Sequence, residues 1–434
     1  FQLSVMISNS SIEIPILDLK VGMYVSKLDR PWLDTPFPLQ GVLMRTEKDI
    51  QALKNICQFV FVDVELSEPF VVQKHLPFAV SNIAAASAAN RNPSHPDNSQ
   101  KQLQLDPILQ RVKTYEDFRT AEQEIPAATK AYNFTLSLLD DITNNIERDI
   151  KFDIHAAHEV VDTLCESVIR NPDAALLLAQ LKSTGKELYD SAVKTSVHML
   201  AFGRHLGLPR RELSVLGLGG LLMDIGKQRL PKEIQAKRSM YLKPEERKLM
   251  KQHIAYSQEI VTRLCNVTDD VIKIVTQHHE RENGNGYPLS LYANQIHPYG
   301  RMAAVVDSYE ELIWGQPGMP GLRPFEAIKE LKGNAQNGLN FALVEQFAHC
   351  ISIFPVGCLV ELNTGEVAIV LSQNRTQRFL PRIMIICDAK KKPYDNPATI
   401  DLKKFDLSPA GVPYKIISDL PQGAYGIDPK RFYL

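Results

Sequence analysis

Residues 278–288 read HHERENGNGYP, two adjacent histidines and an acid followed by a glycine-rich turn that ends in Tyr287-Pro288. Histidine is scarce in this chain, with 11 among 434 residues. Paired histidines with an acid directly after them are a common ligand pattern, and imidazole with carboxylate suits Mn, Fe, Ni or Zn. The stretch therefore predicts part of a metal centre, with a purely structural role for the pair as the alternative.

Three further signals lie on either side of this stretch. Residues 223–227 read MDIGK at the end of a very apolar segment, so Asp224 needs a partner cation or metal once it is buried. His253 follows about one helix later, and Asp307 lies in the segment VVDSYEE. A carboxylate that bridges two metal ions would let them share a hydroxide, which is a nucleophile suited to a phosphodiester. Each of these residues alone could have an ordinary structural role, but the set together favours a metal-dependent hydrolase.

The residues around these signals have the pattern of a helical domain. Apolar side chains recur at spacings of three and four over residues 136–146 and again over residues 160–168. Pro172 and Pro209 mark helix boundaries. We therefore expect roughly seven or more helices joined by short connections over residues 106–350.

Shorter patterns flank the helical segment. Residues 1–72 alternate strand-like runs with one helical stretch and predict a small α+β domain. Residues 73–105 are rich in Ala, Ser, Asn and Pro and predict a flexible linker, because they cannot bury enough apolar surface to offset the entropy of ordering. Residues 351–434 return to a period of two, with a hairpin at Thr364-Gly365, and predict a small C-terminal β segment. The predicted fold class is a multidomain chain whose all-α domain lies between two smaller parts.

Composition excludes several classes of function. The chain has 49 Lys and Arg residues and 50 Asp and Glu residues, so its formal net charge is −1. It therefore lacks the excess positive charge that is typical of proteins that bind DNA or RNA. No apolar run reaches the roughly 18 residues of a membrane span, and no secretory signal is recognised. The six cysteines form no CxxC pair and are typical of reduced, mostly buried thiols, so we expect a cytoplasmic protein.

Taken together, the motifs resemble those of the HD-GYP family, metal-dependent phosphohydrolases that act on the bacterial second messenger cyclic di-GMP. The resemblance rests on LLMDIGK (221–227), His253, HHERENGNGYP (278–288) and VVDSYEE (305–311), and it covers roughly residues 150–350. Residues 14–25, IPILDLKVGMYV, are also similar to the small domain often found upstream of HD-GYP domains in proteobacteria. The resemblance implies an all-α HD-superfamily domain with an upstream α+β domain.

The resemblance also implies roles for individual residues. The implied metal ligands are Asp224, His253, His278, His279 and Asp307, with Glu187 as an additional carboxylate. Catalysis is implied for Asp224 and Lys227. Substrate contacts are implied for Lys227 and Arg301. The tripeptide Gly286-Tyr287-Pro288 is the implied interaction loop.

The chain departs from the family pattern at two ligand positions. Ser191 and Met223 stand where the family has histidines. A hydroxyl is a poor metal ligand at neutral pH, and a thioether is too soft for Mn or Fe. Residues 314–321, WGQPGMPG, replace a basic segment that helps the family hold its substrate. The remaining ligands suit one metal ion with open coordination positions rather than a pair of ions that shares a hydroxide.

These departures leave three functions open. The first hypothesis is a degenerate HD-GYP protein with weak or absent phosphodiesterase activity, acting through contacts with diguanylate cyclases or other signalling proteins or by binding cyclic di-GMP. The alternative is an active phosphodiesterase that converts cyclic di-GMP to pGpG or GMP with one metal ion or a rearranged pair. The third is a structural HD domain that binds neither metal nor nucleotide. The predicted cofactor is accordingly one transition metal (Fe, Mn, Ni or Zn) or none, and a homodimer is left open.

Overall fold

The structure is a computed structural model, and the residues it describes fall into two compact units, residues 1–97 and 98–434. The described residues are 11–29, 42–44, 47–63, 67, 109, 113–181, 186–235, 237, 241–265, 267–313, 321–375, 377–404, 407–409, 411–421 and 423–427. The predicted linker, residues 73–105, lies outside them, as does most of the substituted segment 314–321. Each unit is described by itself.

The first unit is a small α+β domain, as predicted. Its elements are β1 (Ser11–Pro15), β2 (Tyr24–Leu28), β3 (Val42–Leu43), α1 (Glu47–Lys54) and β4 (Phe59–Asp63). The strands pair antiparallel in the order β1-β4-β2-β3. Ile50 and Leu53 of the helix share a buried core with Val25 and Val60 of the sheet. Along β4, buried Val60 and Val62 alternate with the partly exposed Phe59 and Phe61, which is why this strand could be predicted from the sequence.

The second unit begins with a bundle of α-helices, again as predicted. The helices are α2 (Ala121–Glu147), α3 (Ile154–Arg170), α4 (Pro172–Leu181), α5 (Glu187–Leu206), α6 (Arg210–Leu222), α7 (Lys232–Gln235), α8 (Pro244–Ile260), α9 (Asp269–Gln277), α10 (Pro298–Ile313), α11 (Pro324–Asn334) and α12 (Phe341–Ile351). Helix α4 begins at Pro172, and Gly207 ends α5 in a left-handed conformation before Pro209. One large apolar core joins these helices except α7, whose Ile234 packs in a separate small cluster with Leu230, Leu242 and Met250.

Glycines in α6 bring the helices that carry the motifs close together. A Cβ on Gly217 would lie 2.9 Å from side-chain atoms of both Leu200 on α5 and Val161 on α3. A Cβ on Gly219 would lie 2.4 Å from Ile274 on α9. Because α9 leads directly into the histidine pair, this close approach sets the pair beside the end of α6.

A five-stranded antiparallel sheet completes the second unit. Its strands are β5 (Leu359–Leu362), β6 (Val367–Ser372), β7 (Arg382–Cys387), β8 (Pro393–Asp401) and β9 (Ile416–Leu420), in the order β8-β7-β6-β5-β9. The predicted hairpin at Thr364-Gly365 is confirmed, since β5 pairs with β6 across it. Arg375 connects the sheet to the helices through an ion pair of 2.6 Å with the buried Asp173.

Two expectations drawn from composition can be compared with the described residues. None of the described helices combines the length and the apolar character that a bilayer crossing requires. The six cysteines are all free thiols, five of them buried and Cys350 half-buried.

Candidate metal centre

Four segments converge at one end of α6. Asp224 follows α6 and precedes a 3₁₀ turn, Ile225–Arg229. His253 lies in the middle of α8, and His278 and His279 follow the last residue of α9. Asp307 lies on α10.

Asp224, His253, His278 and His279 form a cluster that could hold a metal ion. One ligand atom from each residue lies within 4.8 Å of the others. The Oδ1 atom of Asp224 is 3.3 Å from His253 Nε2 and 3.6 Å from His278 Nε2. The two Nε2 atoms are 3.5 Å apart. Both His253 and His278 are fully buried.

Backbone hydrogen bonds fix which nitrogens face the cluster. His253 Nδ1 lies 2.5 Å from the carbonyl oxygen of Met250, and His278 Nδ1 lies 2.9 Å from that of Val275. Since a carbonyl only accepts, each Nδ1 donates, and each neutral imidazole keeps its lone pair on Nε2. Protein metal sites commonly orient ligand histidines by donating the other ring N–H in this way.

The protonation equilibria favour ligands that are ready to bind a cation. Burial lowers the pKa of His253 to about 3, so this imidazole is neutral at pH 7. Burial also lowers the pKa of His279 well below its ordinary value, and His278 and His253 add to the effect. Burial opposes ionisation of Asp224, but the Lys227 ammonium together with His278 and His253 outweighs it and holds the pKa of Asp224 well below its usual range. The cluster thus presents the neutral imidazoles of His253 and His279 beside an ionised carboxylate.

The Oδ1 atom of Asp224 is the feature that best tests the fit of a metal. It is buried and has no hydrogen-bond donor among the described residues, while the lone pairs of two imidazoles point toward it. Electron-pair donors so close together in a buried site repel one another unless a cation lies between them. Imidazole and carboxylate are ligands of first-row transition metals. The residues present therefore fit a bound transition-metal ion.

Asp307 and Tyr287 contact the cluster through His279. The Oδ2 atom of Asp307 is 3.4 Å from His279 Nδ1, but Asp307 is not one of the four residues whose ligand atoms converge. Burial raises the pKa of Asp307 to about 6. The Tyr287 ring stacks on His279 with ring centroids 4.6 Å apart, and the Lys251 ammonium lies 4.6 Å from the centroid of the Tyr287 ring.

Lys227 places its ammonium directly on the cluster. Its Nζ lies 2.7 Å from Asp224 Oδ2, and its side chain is 23% exposed. The two oxygens of Asp224 therefore face different groups, since Oδ1 faces the histidines and Oδ2 faces the lysine.

Three family profiles match successive parts of this chain. The HD domain profile matches residues 177–340, which include the whole cluster. A domain of unknown function (DUF3391) matches residues 11–157, and a KOW domain associated with HD domains matches residues 359–406.

Similar proteins point to one branch of HD proteins. A cyclic di-GMP phosphodiesterase of Pseudomonas aeruginosa is 28% identical over 415 residues, 95% of this chain and 92% of the relative. The HD domain profile and this relative support membership of the HD-GYP family. A cyclic di-GMP phosphodiesterase of Thermotoga maritima is 32% identical over 127 residues, 29% of this chain and 34% of the relative. A solved HDG"Y"P protein from Bdellovibrio bacteriovorus aligns with 78% of this chain and 98% of its own, with a TM-score of 0.44 and 16% identity.

The positions where the HD-GYP pattern is broken lie in contrasting surroundings. Ser191 is exposed on α5. Met223 is only 1% exposed and packs in the apolar core of the helices. The side chain of Glu187 lies outside the described residues, so its implied role stays a prediction.

The HD-GYP loop that follows the histidine pair is anchored by Glu280. This buried carboxylate accepts hydrogen bonds from the backbone amides of Leu289 and Leu291 at 2.7 and 3.0 Å. A Cβ on Gly286 would lie 2.4 Å from the backbone nitrogen of Arg281, so the loop folds tightly back on the histidine segment. Arg301 donates to the carbonyl oxygen of Ala293 at 2.7 Å, and its implied substrate contact stays a prediction.

Sequence reasoning missed two residues that shape the site. Glu280 belongs to the quoted motif, and its position beside the histidines suggested a ligand pattern rather than a loop anchor. Ser257 carried no sequence signal, although its hydroxyl accepts a hydrogen bond from the Gly226 amide at 2.8 Å. Its role becomes visible only when α8 is placed against the 3₁₀ turn.

Proposed function

We propose that this protein is a degenerate HD-GYP protein of cyclic di-GMP signalling that holds one transition-metal ion and has weak or absent phosphodiesterase activity. It acts by binding cyclic di-GMP or by contacting signalling proteins such as diguanylate cyclases. The observation that carries the proposal is Asp224 Oδ1, which is buried, has no donor in the part of the chain that the structure describes, and is faced by the Nε2 atoms of His253 and His278.

Asp224, His253, His278 and His279 would hold the metal ion. A divalent ion bound there neutralises phosphate charge and lowers the pKa of a water molecule. In the chain itself, the Lys227 ammonium adds positive charge at the edge of the cluster. The carbonyl oxygens of Met250 and Val275 keep two imidazoles in the tautomer that binds a metal.

Loss of ligands supports a weakened catalytic centre. Ser191 and Met223 replace two histidines of the family pattern, and the Met223 side chain is buried among apolar residues. Asp307 contacts His279 but stands apart from the converging ligand atoms. With one ion, the centre lacks the paired cations that would otherwise clamp both the attacking and the leaving oxygen of a phosphodiester.

The loop after Tyr287 is the surface that we assign to protein contacts. Leu289 and Tyr292 are 66% and 60% exposed, whereas Tyr287 turns inward onto His279. Exposed apolar side chains on an anchored loop suit a binding surface. A diguanylate cyclase as the partner follows from the family resemblance alone.

An active phosphodiesterase is the second candidate. The observation that favours it is the similarity along 95% of this chain to a protein named a cyclic di-GMP phosphodiesterase. Such an enzyme would use one metal ion or a rearranged pair, with Asp224 and Lys227 at the reacting phosphate.

Metal content and turnover, measured on one preparation of the full chain, separate these candidates. We expect about one equivalent of a transition metal per chain by elemental analysis, a sharp loss in His278→Ala, and no loss in His155→Ala, which alters an exposed histidine. Cyclic di-GMP is then incubated with the metal-loaded protein and the products are separated by chromatography. Unchanged nucleotide that is retained in equilibrium dialysis supports the degenerate protein. Linear product that disappears in Asp224→Asn supports the enzyme.

A further inference from the structure

Arg281 follows the histidine pair closely and binds the backbone of that segment. Its Nη1 donates to the carbonyl oxygen of Glu280 at 2.9 Å and to that of His278 at 3.3 Å. Its Nη2 donates to the Ser308 hydroxyl at 3.3 Å. One guanidinium therefore connects the end of α9 to α10, on which Ser308 directly follows Asp307.

The end of α9 has backbone carbonyls that need hydrogen-bond donors from outside the helix, as helix ends generally do. The carbonyl oxygen of His279 accepts from the Tyr287 amide at 3.2 Å. The carbonyls of His278 and Glu280, on either side of it, are the ones that Arg281 binds. Basic side chains commonly satisfy the last carbonyls of a helix, and their charge suits the negative end of the helix dipole.

Of the three histidines in the cluster, His279 depends most on the position of its backbone. His253 and His278 each donate from Nδ1 to a backbone carbonyl oxygen, which fixes the direction of the ring. Among the described residues His279 has no such bond, since its Nδ1 faces Asp307 at 3.4 Å and its ring stacks on Tyr287. Both contacts come from other segments, so they persist only while the backbone of His279 stays in place.

We infer that Arg281 is a positioning residue that fixes the backbone of the histidine pair against α10 and thereby places the His279 imidazole in the cluster. The inference rests on the proposed metal centre and adds to it a residue that sets its geometry. A guanidinium suits this role because it is planar and has five donors in a fixed arrangement, so it can bind two carbonyls and a hydroxyl together. In this role Arg281 acts through the backbone and binds neither the metal ion nor a substrate.

The first test compares the metal affinity of the full-length wild type with that of Arg281→Met and Arg281→Lys. Arg263→Met is the matched control, since Arg263 is 50% exposed and forms ion pairs with Asp149 and Glu259. Titration with Mn²⁺ should show an affinity lower by about tenfold or more in Arg281→Met and an unchanged affinity in the control. Arg281→Lys should recover only part of the loss, because one ammonium cannot span all three acceptors.

A spectroscopic measurement separates positioning from a general loss of stability. In Co²⁺-loaded Arg281→Met, we expect the visible absorption bands to differ from those of the wild type, because their position and intensity depend on the coordination geometry. A variant that was only less stable would keep the wild-type spectrum once folded and loaded. Ser308→Ala removes the acceptor on α10 and should change the spectrum in the same direction. The double variant should lose little more affinity than Arg281→Met alone.

The outcomes distinguish this inference from the proposed function. An Arg281→Met protein with the wild-type Mn²⁺ affinity or the wild-type Co²⁺ spectrum would overturn the inference. Wild-type protein that binds neither ion would instead contradict the proposed metal centre. In that case hydrogen exchange in the metal-free proteins decides the role of Arg281: the Glu280 and Tyr287 amides should exchange about tenfold faster in Arg281→Met, and equal rates would overturn it. If Arg281→Met does not fold, Ser308→Ala, which removes only one of the contacts, is measured in its place.

Discussion

The backbone amide of Gly226 donates a hydrogen bond to the Ser257 hydroxyl at 2.8 Å, and no side chain fits between the two segments. A Cβ on Gly226 would lie 2.3 Å from the carbonyl oxygen of His253 and 2.4 Å from the backbone nitrogen of Ser257. Gly226 is two residues from Asp224, and Ser257 is one helical turn from His253. The contact therefore sets the distance between a carboxylate and an imidazole of the cluster.

Substitution of Gly226 by alanine should damage the metal centre without touching a ligand. The added methyl group would push the 3₁₀ turn away from α8, because the atoms it meets are backbone atoms. We expect the free energy of unfolding to fall by about 2–4 kcal/mol and the metal affinity to fall at least about tenfold. Gly333→Ala is the control, and it should leave metal affinity unchanged. Apart from the backbone of α11 itself, no atom of the described residues lies within 4 Å of its Cβ position. Equal metal affinity in the two variants would contradict the role assigned to Gly226.

Replacing Glu280 by glutamine should destabilise the loop that follows the histidine pair and leave the rest of the fold unchanged. In Glu280→Gln, one of the two amides now bonded to the carboxylate would face an NH₂ group instead of an oxygen. The expected cost is about 1–3 kcal/mol, concentrated in the loop. Hydrogen exchange of the Leu289 and Leu291 amides should quicken by about tenfold or more. Glu345→Gln, which alters a half-exposed ion pair with Lys332, should leave exchange of these amides unchanged.

His205 gives the stability a pH dependence of known sign. Burial between α5 and α12 lowers its pKa to about 4, although a hydrogen bond with Gln346 opposes the shift. The unfolded chain binds a proton near pH 6.5 and the folded chain only near pH 4, so stability is lost as the pH falls through this window. This group should account for about 2 kcal/mol of the loss between pH 7 and pH 5.

Denaturant unfolding at the two pH values checks this prediction. The loss in His205→Gln should be smaller than that of the wild type by about 2 kcal/mol. His155→Gln, at an exposed position, should keep the wild-type pH dependence. An unchanged loss in His205→Gln would show that this imidazole is not buried in its neutral form.

Two arginines that connect the C-terminal sheet to the helices should differ in importance. Arg375 pairs with Asp173, which is 1% exposed, whereas Arg382 pairs with Glu122, which is 43% exposed. Arg375→Met leaves a buried carboxylate without its cation and should lower the free energy of unfolding by about 2–4 kcal/mol. Arg382→Met should cost less than about 1 kcal/mol. Chemical denaturation of both variants measures the difference, and similar losses would refute the distinction.

Local patterns were sufficient to predict most of the fold. Apolar spacing and proline breaks located the helices, because their buried faces follow a period near 3.6 residues. Strand β8 was missed, since its sequence, PYDNPATID, contains two prolines and is mostly exposed. It lies at an edge of the sheet, where missing amide donors are tolerated.

The sequence motifs predicted the residues of the metal cluster but not the contacts around them. The motifs named the histidines and Asp224, whose side chains the structure brings together. They did not indicate that Lys227 pairs with Asp224 Oδ2 or that Met223 lies in the apolar core. The first is a local contact between residues three apart, formed by the 3₁₀ turn after α6. The second depends on how α6 packs against other helices, and that packing has no local sequence signal.

The most direct test of this account is the transition-metal content of the purified full-length chain beside that of Asp224→Asn. The substitution keeps the shape of the side chain and removes the charge that faces His253 and His278. We predict about one equivalent per chain in the wild type and a loss of at least about tenfold in affinity in the variant. Wild-type protein that binds no metal, or a variant that binds it equally well, would contradict the proposed centre.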